Sequence, residues 1–494
     1  MSPQTELRRI TTDIPARMDR LPWVRWHWLI VIGLGTVWIL DGLEVTIVGS
    51  LSDVLKTTDH GLGLSSSQIG LAGAIYVAGS CLGALVFGQL TDRFGRKKLF
   101  MITLGIYLIG TVLTAFSMNP IWYFACRFIT GAGIGGEYAA INSAIDELIP
   151  SKYRGRVDIA INGSFWVGAA AGAMITVPLT NGIVDPSYGW RGAFALGAIL
   201  ALVVLLVRRN VPESPRWLFI HGREKESEQI VTEIEKTVED ESGERLPAAE
   251  ESITIRQRHT IGLPLIAKTV FMTYPRRAIL CFALFVGQAF LYNAFFFTFG
   301  DALGTFFGVK SVGWYIAAFA VSNFVGALAL SPLFDSIGRV RMIAATYIIS
   351  GALLGIAGFY LHSFSAVTLT LAGMVVFFFA SAGASAAYLT ASEVFPMETR
   401  ALCIAFFYAI GTATGGIAGP LYFGGLIEKA TAGKDITGLA PGYYVGAGLM
   451  LAAGIIAIFL GVHAEQKSLE SIAKPLTAED DAPEPGQEKS AAHA

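Results

Sequence analysis

Two acidic residues and one arginine carry the most suggestive chemistry in this sequence, because each lies inside a long apolar stretch. Asp41 and Glu44 are three residues apart and would share one face of a helix. Arg127 interrupts a different apolar stretch. A charge inside a membrane costs at least about 2.5–3.5 kcal/mol, so unpaired charges are disfavoured there. We therefore predict that Arg127 faces Asp41 or Glu44.

The pairing of these residues predicts a proton-exchange site. Counted along a helix from Trp28, Asp41 and Glu44 lie roughly 20 and 24 Å above the inner membrane surface. Arg127 lies roughly 10 Å below the outer surface, which is the same level in an apolar core about 30 Å thick. Arginine stays protonated, whereas a carboxylate in a water-poor cavity exchanges a proton when its pairing changes. The alternative is a permanent structural ion pair, as a uniporter could keep.

A second set of charges occurs twice in the chain. Residues 88–98 read GQLTDRFGRKK and residues 331–341 read SPLFDSIGRVR, with the shared Asp, Gly and Arg offset by 243 positions (335 minus 92). The pattern E-x-x-P-x-x-x-R begins at Glu147 and again at Glu393, an offset of 246 (393 minus 147). The chain is therefore a duplicated unit.

The repeated charges predict a gate at one membrane surface. Glycine permits a tight reversal between two helices, and the charges lie where helix ends meet water. Carboxylates paired with arginines of other helices would hold this side shut and separate as it opens. The alternative is that the charges only fix topology and helix ends. The predicted gate consists of Asp92, Arg93, Gly95, Arg96, Glu147, Arg154, Asp335, Gly338, Arg339, Glu393 and Arg400.

Composition identifies an all-α membrane protein. Hydrophobic residues make up 53% of the chain and charged residues 15%, against about 25% charged in soluble proteins. Unbroken apolar runs of roughly 20 residues indicate helices and exclude a β-barrel. The net charge of −2 argues against nucleic acid as a partner. We predict 12 transmembrane helices: 28–50, 67–90, 99–118, 120–145, 157–181, 190–208, 277–300, 312–334, 341–361, 365–391, 401–427 and 443–463.

The distribution of Lys and Arg predicts the orientation. With the N-terminus inside, the short inner loops hold ten of these residues and the outer loops hold five, so both termini are predicted to be cytoplasmic. In the central loop, Ser214 can cap a helix that begins at Pro215. The predicted organisation is a cytoplasmic segment, a bundle, a cytoplasmic loop with short helices, a second bundle and a disordered tail: 1–27, 28–208, 209–275, 276–463 and 464–494.

The motifs together resemble the major facilitator superfamily, in its sugar-porter and metabolite–proton symporter branch. The resemblance rests on the duplicated turn, the paired E-x-x-P-x-x-x-R and the run PESPRWL at 212–218. It implies two six-helix bundles that rock about a central site. Residues 41–44, Asp-Gly-Leu-Glu, are similar to the D-G-x-D motif of aromatic-acid and related symporters. Glu137 in Gly-Gly-Glu resembles a metabolite-symporter motif and is a second titrating candidate, or else a structural partner of the gate.

The seventh span suggests the solute site. Gln288 and Asn293 match the sugar-porter pattern, but the surrounding rings disfavour a heavily hydroxylated sugar. A flat or partly apolar metabolite with a carboxylate for Arg127 fits better. The alternative is that these rings face lipid or neighbouring helices. The predicted solute-binding residues are Arg127, Gln288, Tyr292, Asn293, Tyr388, Asn162 and Trp166.

The sequence therefore predicts a secondary active transporter in a bacterial inner membrane. It would carry a small organic solute together with protons, and the residues favour an organic acid, aromatic acids included. No nucleophile–base or metal-ligand constellation is visible, so we expect neither an enzyme nor a cofactor, and we expect a monomer. The alternatives are a sugar transporter, a facilitative uniporter and, from another class, a solute-sensing receptor.

Overall fold

In the described residues up to 208, the chain forms eight helices and one short strand. The computed structural model describes residues 9–51, 54–55, 58–59, 61–64, 66–180, 185–208, 212–249, 251–256, 267–309, 312–396, 399–433 and 435–473. The elements up to residue 208 are β1 (Arg9–Thr12), α1 (Ile14–Asp19), α2 (Arg25–Ser50), α3 (Ser66–Phe94), α4 (Arg96–Ala115), α5 (Pro120–Leu148), α6 (Ser151–Gly163), α7 (Phe165–Thr180) and α8 (Pro186–Arg208).

The remaining described elements comprise the central segment and the second half. The central segment contains α9 (Pro215–Ile220), α10 (Glu224–Ser242), β2 (Ile253–Arg256) and a π-helical turn (Thr269–Thr273). The second half contains α11 (Pro275–Phe307), α12 (Val312–Ser336), α13 (Arg339–Phe359), α14 (Ala366–Glu393), α15 (Arg400–Gly411), a π-helical turn (Thr412–Gly416), α16 (Ile417–Gly433), α17 (Ala440–Leu460) and α18 (Leu469–Ile472).

Eleven helical stretches in the described residues are long and apolar enough to cross a membrane. The span predicted at 120–145 is not among them, because α5 carries Arg127, Glu137 and Glu147. With 29 residues, α5 is still long enough to cross a core of about 30 Å, and it packs against α3 and α4. Together with α5 the helices match the twelve that the sequence predicts.

Close helix contacts repeat between the two halves. A Cβ atom on Gly83 of α3 would lie 2.0 Å from the carbonyl oxygen of Ala132 on α5. A Cβ atom on Gly326 of α12 would lie 2.1 Å from the carbonyl oxygen of Phe378 on α14. Only glycine permits this approach, so the same pair of helices is packed in the same way in each half. Between the halves, α3 packs against α15, and α6 and α7 pack against α12.

A small assembly at one end of the bundle combines the N-terminal and central segments. β1 pairs antiparallel with β2, with Arg9 opposite Arg256 and Thr12 opposite Ile253. The membrane-spanning part is all-helical, as predicted, and this short ribbon is an addition that nothing in the two four-residue strands indicated. The predicted cap is confirmed, because Ser214 Oγ accepts a hydrogen bond from the backbone N–H of Trp217 at 3.1 Å.

The predicted boundaries of the bundles, loop and termini stay predictions. Residues 1–8 and the part of the predicted tail from 474 to 494 lie outside the described residues. The end of the bundle that carries Gly95 and Gly338 is called the inner end, because the sequence predicts it to be cytoplasmic.

Candidate transport site

A buried ion pair joins α2 to α5. Arg127 Nη1 lies 2.5 Å from Glu44 Oε1. At most 2% of either residue is exposed. The predicted pairing of Arg127 with an acid of the first span is therefore observed, and Glu44 is the acid. Loss of one partner from such a pair leaves a buried charge uncompensated, which typically destabilises a protein by about 3–5 kcal/mol.

Asp41 lies beside this pair but takes tyrosine hydroxyls as its partners. Tyr76 on α3 donates a hydrogen bond to Asp41 Oδ1 at 2.8 Å. Tyr138 on α5 donates one to Asp41 Oδ2. The ring of Tyr76 also lies under the guanidinium of Arg127, with the Cζ atom 4.3 Å from the ring centroid. Tyr76 therefore contacts both the ion pair and the second acid.

Four aromatic side chains meet next to Asp41 at the seam between the halves. We call Trp38, Tyr138, Tyr388 and Tyr408 the aromatic cage. Trp38 stacks on Tyr138 with ring centroids 4.5 Å apart, and it meets Tyr388 edge-on at 5.4 Å. Tyr138 meets Tyr408 at 4.8 Å. The first two rings belong to the N-terminal half and the other two to the C-terminal half, so relative motion of the halves would open or close the cage.

The other predicted solute residues lie around a second contact between the halves. Trp166 on α7 and Tyr292 on α11 have ring centroids 5.5 Å apart. The hydroxyl of Tyr292 donates to Asn323 Oδ1 at 3.0 Å. Asn293 donates to the carbonyl of Ala289, on its own helix.

The two remaining polar candidates are buried. Gln288 lies one turn before Tyr292 and is 8% exposed. Asn162 donates from its Nδ2 to Asn142 Oδ1 on α5 at 3.0 Å. Glu137 is fully buried on α5, immediately before Tyr138 of the cage. The roles of these residues in binding and titration stay predictions.

At the inner end, Glu147 connects arginines of both halves. Arg96 Nη2 lies 2.9 Å from Glu147 Oε1, and Arg400 Nη1 lies 3.6 Å from the same oxygen. Arg96 and Glu147 belong to the N-terminal half and Arg400 to the C-terminal half. This carboxylate therefore holds an interhelix ion pair and a contact across the seam at once.

The repeated charges of the C-terminal half are paired within that half and also reach across. Arg339 makes two contacts of 3.0 Å with Glu393 and one of 2.7 Å with Asp335. Asp335 also accepts the backbone N–H of Arg156 at 2.8 Å. Arg154 lies 3.3 Å from the carbonyl oxygen of Lys467, again across the seam. The inner end is thus held together in this conformation.

Two further predicted gate residues differ from the rest. Arg93 is exposed, and its guanidinium lies 5.1 Å from the ring centroid of Phe94. The side chain of Asp92 lies outside the described residues, so its predicted role stays open to experiment.

Each of the two turns has a carboxylate of its own at the start of the following helix. Gly95 and Gly338 have φ values of +98° and +112°, which favour glycine. Glu213 accepts the backbone N–H of Arg96 at 2.9 Å, and Glu465 accepts that of Arg339 at 3.4 Å. Burial raises the pKa of Glu213, although the backbone donors and the charge of Arg96 oppose the rise. Carboxylates are stabilised at helix N-termini.

Sequence reasoning missed these two acids and three of the residues around Asp41. Glu213 lies in the run PESPRWL, which carried the resemblance without a role for its acid. Trp38 precedes Asp41 by three residues, so the helical spacing could have found it. Tyr76 and Tyr138 reach Asp41 from other helices, and nothing in their local sequence indicates this.

Two helical halves, with buried charge in one of them and aromatic side chains at their seam, define a membrane transporter of the major facilitator type. The proton:xylose symporter XylE bound to 6-bromo-6-deoxy-D-glucose has the same fold. Its TM-score is 0.73, with 19% identity over 90% of this chain and 98% of that one.

The chain belongs to the family described as "Sugar (and other) transporter", whose model matches residues 29–475. It is 27% identical over 466 residues to the niacin transporter NiaP of Acinetobacter baylyi, covering 93% of this chain and 99% of that protein. It is 30% identical over 218 residues to the inner membrane metabolite transport protein YgcS of Escherichia coli, covering 44% and 47%. The protein is a multi-pass membrane transporter of small metabolites, with relatives in the bacterial inner membrane, and not an enzyme.

Proposed function

We propose that the protein is a symporter that carries a small, flat organic acid together with protons. The class favoured is an aromatic carboxylate. The observation that carries the proposal is the position of Asp41, which is hydrogen-bonded to the cage residue Tyr138 and, through Tyr76, adjoins the Glu44–Arg127 pair. A change of protonation at the pair and a change of occupancy at the cage would therefore affect the same carboxylate.

The proposed coupling follows from charge balance in a water-poor interior. While Glu44 is ionised, it neutralises Arg127. When Glu44 takes up a proton, the guanidinium retains its charge and attracts another anion, for which Asp41 and the solute carboxylate compete. A proton bound from the outside thus favours binding of the anionic solute. Release of both on the inside would restore the ion pair.

The proposed gate is the set of charges at the inner end. The contacts of Glu147 with Arg400 and of Asp335 with the backbone of Arg156 cross the seam. They must separate when the halves rock to expose the site on that side. The pairs within each half, such as Arg339 with Glu393, are expected to persist through the cycle.

The proposed solute class rests on the cage and on a relative. Aromatic rings favour flat partners through stacking and edge contacts. The cage has such rings on both halves, and NiaP, which is similar over nearly the full chain, is a transporter of niacin, a pyridine carboxylic acid. A sugar is the second candidate, since Gln288 and Asn293 on α11 provide amides of the kind that hydroxyl groups bind.

Transport into liposomes tests the proposal. Purified protein would be reconstituted with an acidic outside, and uptake of nicotinate, benzoate and D-xylose would be followed with and without the pH gradient. We expect gradient-dependent accumulation of an aromatic acid and its loss in Glu44→Gln. If one proton accompanies each monovalent anion, an imposed membrane potential leaves the rate unchanged. Accumulation of D-xylose but neither acid, or accumulation that ignores the gradient, would contradict the proposal.

A further inference from the structure

Tyr76 is the one side chain in the described contacts that touches both the arginine of the ion pair and the neighbouring acid. We propose that Tyr76 is a positioning residue that transmits the protonation state of Glu44 to Asp41, and through Asp41 to the aromatic cage. This inference rests on the proposed proton-coupled function and assigns the link between its two parts.

The contacts of Tyr76 use two different parts of its side chain. The ring face carries the guanidinium of Arg127, at 4.3 Å, and the hydroxyl donates to Asp41 at 2.8 Å. Because the ring is rigid, any movement of the ring face also moves the hydroxyl. A desolvated cation–π contact is strong enough to bias the position of the ring.

The charged and titratable groups near Tyr76 come from several helices. α2 contributes Asp41 and Glu44, and α5 contributes Arg127 and Tyr138. Other helices packed against α3 contribute phenols: Tyr107 from α4 lies near Glu44, and Tyr408 from α15 is bonded to Ser80 at 2.7 Å. Arg127 is the cation of this set, so its position decides where the ring of Tyr76 rests.

Protonation of Glu44 changes what Arg127 does to Tyr76. An ionised Glu44 draws the guanidinium toward α2 and offsets its charge. A protonated Glu44 no longer offsets that charge, so the attraction between the guanidinium and the ring face increases and the hydrogen bond from Arg127 to Glu44 weakens. The ring then moves with the guanidinium and alters the hydrogen bond that Asp41 accepts. By reciprocity, a change at Asp41 acts back on the ion pair to the same degree.

The duplicated half supplies a natural comparison for this hydroxyl. Phe319 on α12 follows Tyr76 by 243 positions (319 minus 76), the offset of the repeated turns. Its neighbours are rings: the centroids of Phe295 and Phe377 lie 5.4 and 4.6 Å away. The position equivalent to Arg127, at the offset of 246, is Gly373. The hydroxyl therefore occurs in the half that has an arginine and an acid to connect.

The first test separates coupled uptake from exchange. Tyr76→Phe keeps the ring on Arg127 and removes the hydroxyl from Asp41, whereas Tyr76→Leu removes both contacts. With nicotinate and benzoate as probes, we expect Tyr76→Phe to lower gradient-driven accumulation about tenfold or more, the size expected for a hydrogen bond to a charged group, while exchange at equal pH stays within about threefold of wild type. Phe319→Leu is the matched control, and it should change accumulation and exchange together. Equal losses of both activities in Tyr76→Phe would overturn the inference.

A second test does not depend on the solute. The protonated carboxyl bands of Asp41 and Glu44 can be followed against pH by infrared spectroscopy of the reconstituted protein, with Asp41→Asn and Glu44→Gln to assign them. We expect Glu44→Gln to shift the pH at which Asp41 is half protonated. The same substitution should shift it much less in the Tyr76→Leu background. An equal movement with and without Tyr76 would overturn the link. If wild type carries neither acid, the proposed solute class fails, and this measurement alone decides the role of Tyr76.

Discussion

The N-terminal and C-terminal halves have different chemistry at equivalent positions of equivalent helices. In the N-terminal half, α2, α3 and α5 bring together Glu44, Tyr76 and Arg127. In the C-terminal half, the helices at the same places in the repeat bring together Phe295 and Phe319, and Phe295 lies against Gly373. One half therefore contains an ion pair where the other contains packed rings.

The difference shows how a duplicated protein can divide its tasks. In the C-terminal half, the buried charges lie at the inner end, and the equivalent positions are stabilised by aromatic packing, which does not depend on pH. In the N-terminal half, an acid and an arginine are buried at a desolvation cost in free energy. Apolar side chains would pack there without that cost. Charged residues buried at such a cost are typical of functional sites. We therefore expect the proton-exchanging acids to lie in the N-terminal half, and the C-terminal half to contribute mainly aromatic contacts to the solute.

The largest expected effect is that of Glu44→Gln on coupling. The amide cannot carry a proton across the cycle, so accumulation driven by a pH gradient should be abolished while exchange of solute remains. The measurement is uptake of nicotinate or benzoate with and without the gradient. Phe295→Leu, a change in the ring cluster of the other half, should leave the ratio of the two activities unaltered. Undiminished uphill uptake in Glu44→Gln would remove Glu44 as the proton carrier.

The next effect concerns stability and distinguishes the halves directly. Arg127→Ala leaves Glu44 buried without its partner and should lower the free energy of unfolding by about 3–5 kcal/mol near neutral pH. The double variant Glu44→Leu/Arg127→Leu should recover most of that stability but not the coupling. Phe377→Leu in the C-terminal half leaves no charge uncompensated and should cost less than Arg127→Ala. Thermal unfolding in detergent compares the three, and an equally mild effect of Arg127→Ala would show that the pair is not buried as described.

A smaller difference is expected between the two gate acids. Glu147 contacts arginines of both halves, whereas Glu393 contacts Arg339 of its own half. Glu147→Gln should therefore shift the balance of inner-closed and inner-open forms by about tenfold, as expected for loss of a charged hydrogen bond, and slow turnover more than binding. Glu393→Gln should mainly lower stability. Parallel uptake and binding assays test this, and identical behaviour of the two variants would contradict the assignment.

The smallest effect is expected outside the bundle. Glu235 on α10 lies 2.6 Å from Arg17 and 2.5 Å from Arg20. Burial alone would raise the pKa of Glu235, but hydrogen bonds from both arginines outweigh it and lower the pKa. Because the folded-state pKa is depressed, the stabilisation is present above the ordinary value and is lost as the pH falls through the depressed one.

The matching variant is Glu235→Gln. This partly exposed pair should contribute less than about 1 kcal/mol, so the variant should unfold at a slightly lower temperature than wild type at pH 7. The difference should shrink as the pH falls below the ordinary range of glutamate. A difference that persists unchanged in acid would show that the ion pairs do not account for it.

Much of the site could be anticipated because its charged residues are costly in the apolar interior of a membrane. Asp41, Glu44 and Arg127 stand out in apolar stretches, and the rise per residue of a helix is enough to place them at one level. The duplicated turns likewise indicate two related halves from the sequence alone. These inferences need only local spacing and the cost of burying charge in lipid.

The sequence by itself determined the helices, the duplication and the presence of an acid–arginine pair, since periodicity and membrane thickness constrain them strongly. Only the tertiary structure decided that Glu44 takes the arginine while Asp41 takes two tyrosines. That choice depends on the rotation of α2 relative to α3 and α5, and a difference of three residues on one helix face is too small for sequence spacing to resolve. The aromatic cage likewise joins Trp38 to Tyr408 across more than half the chain, so its existence follows from how the halves pack.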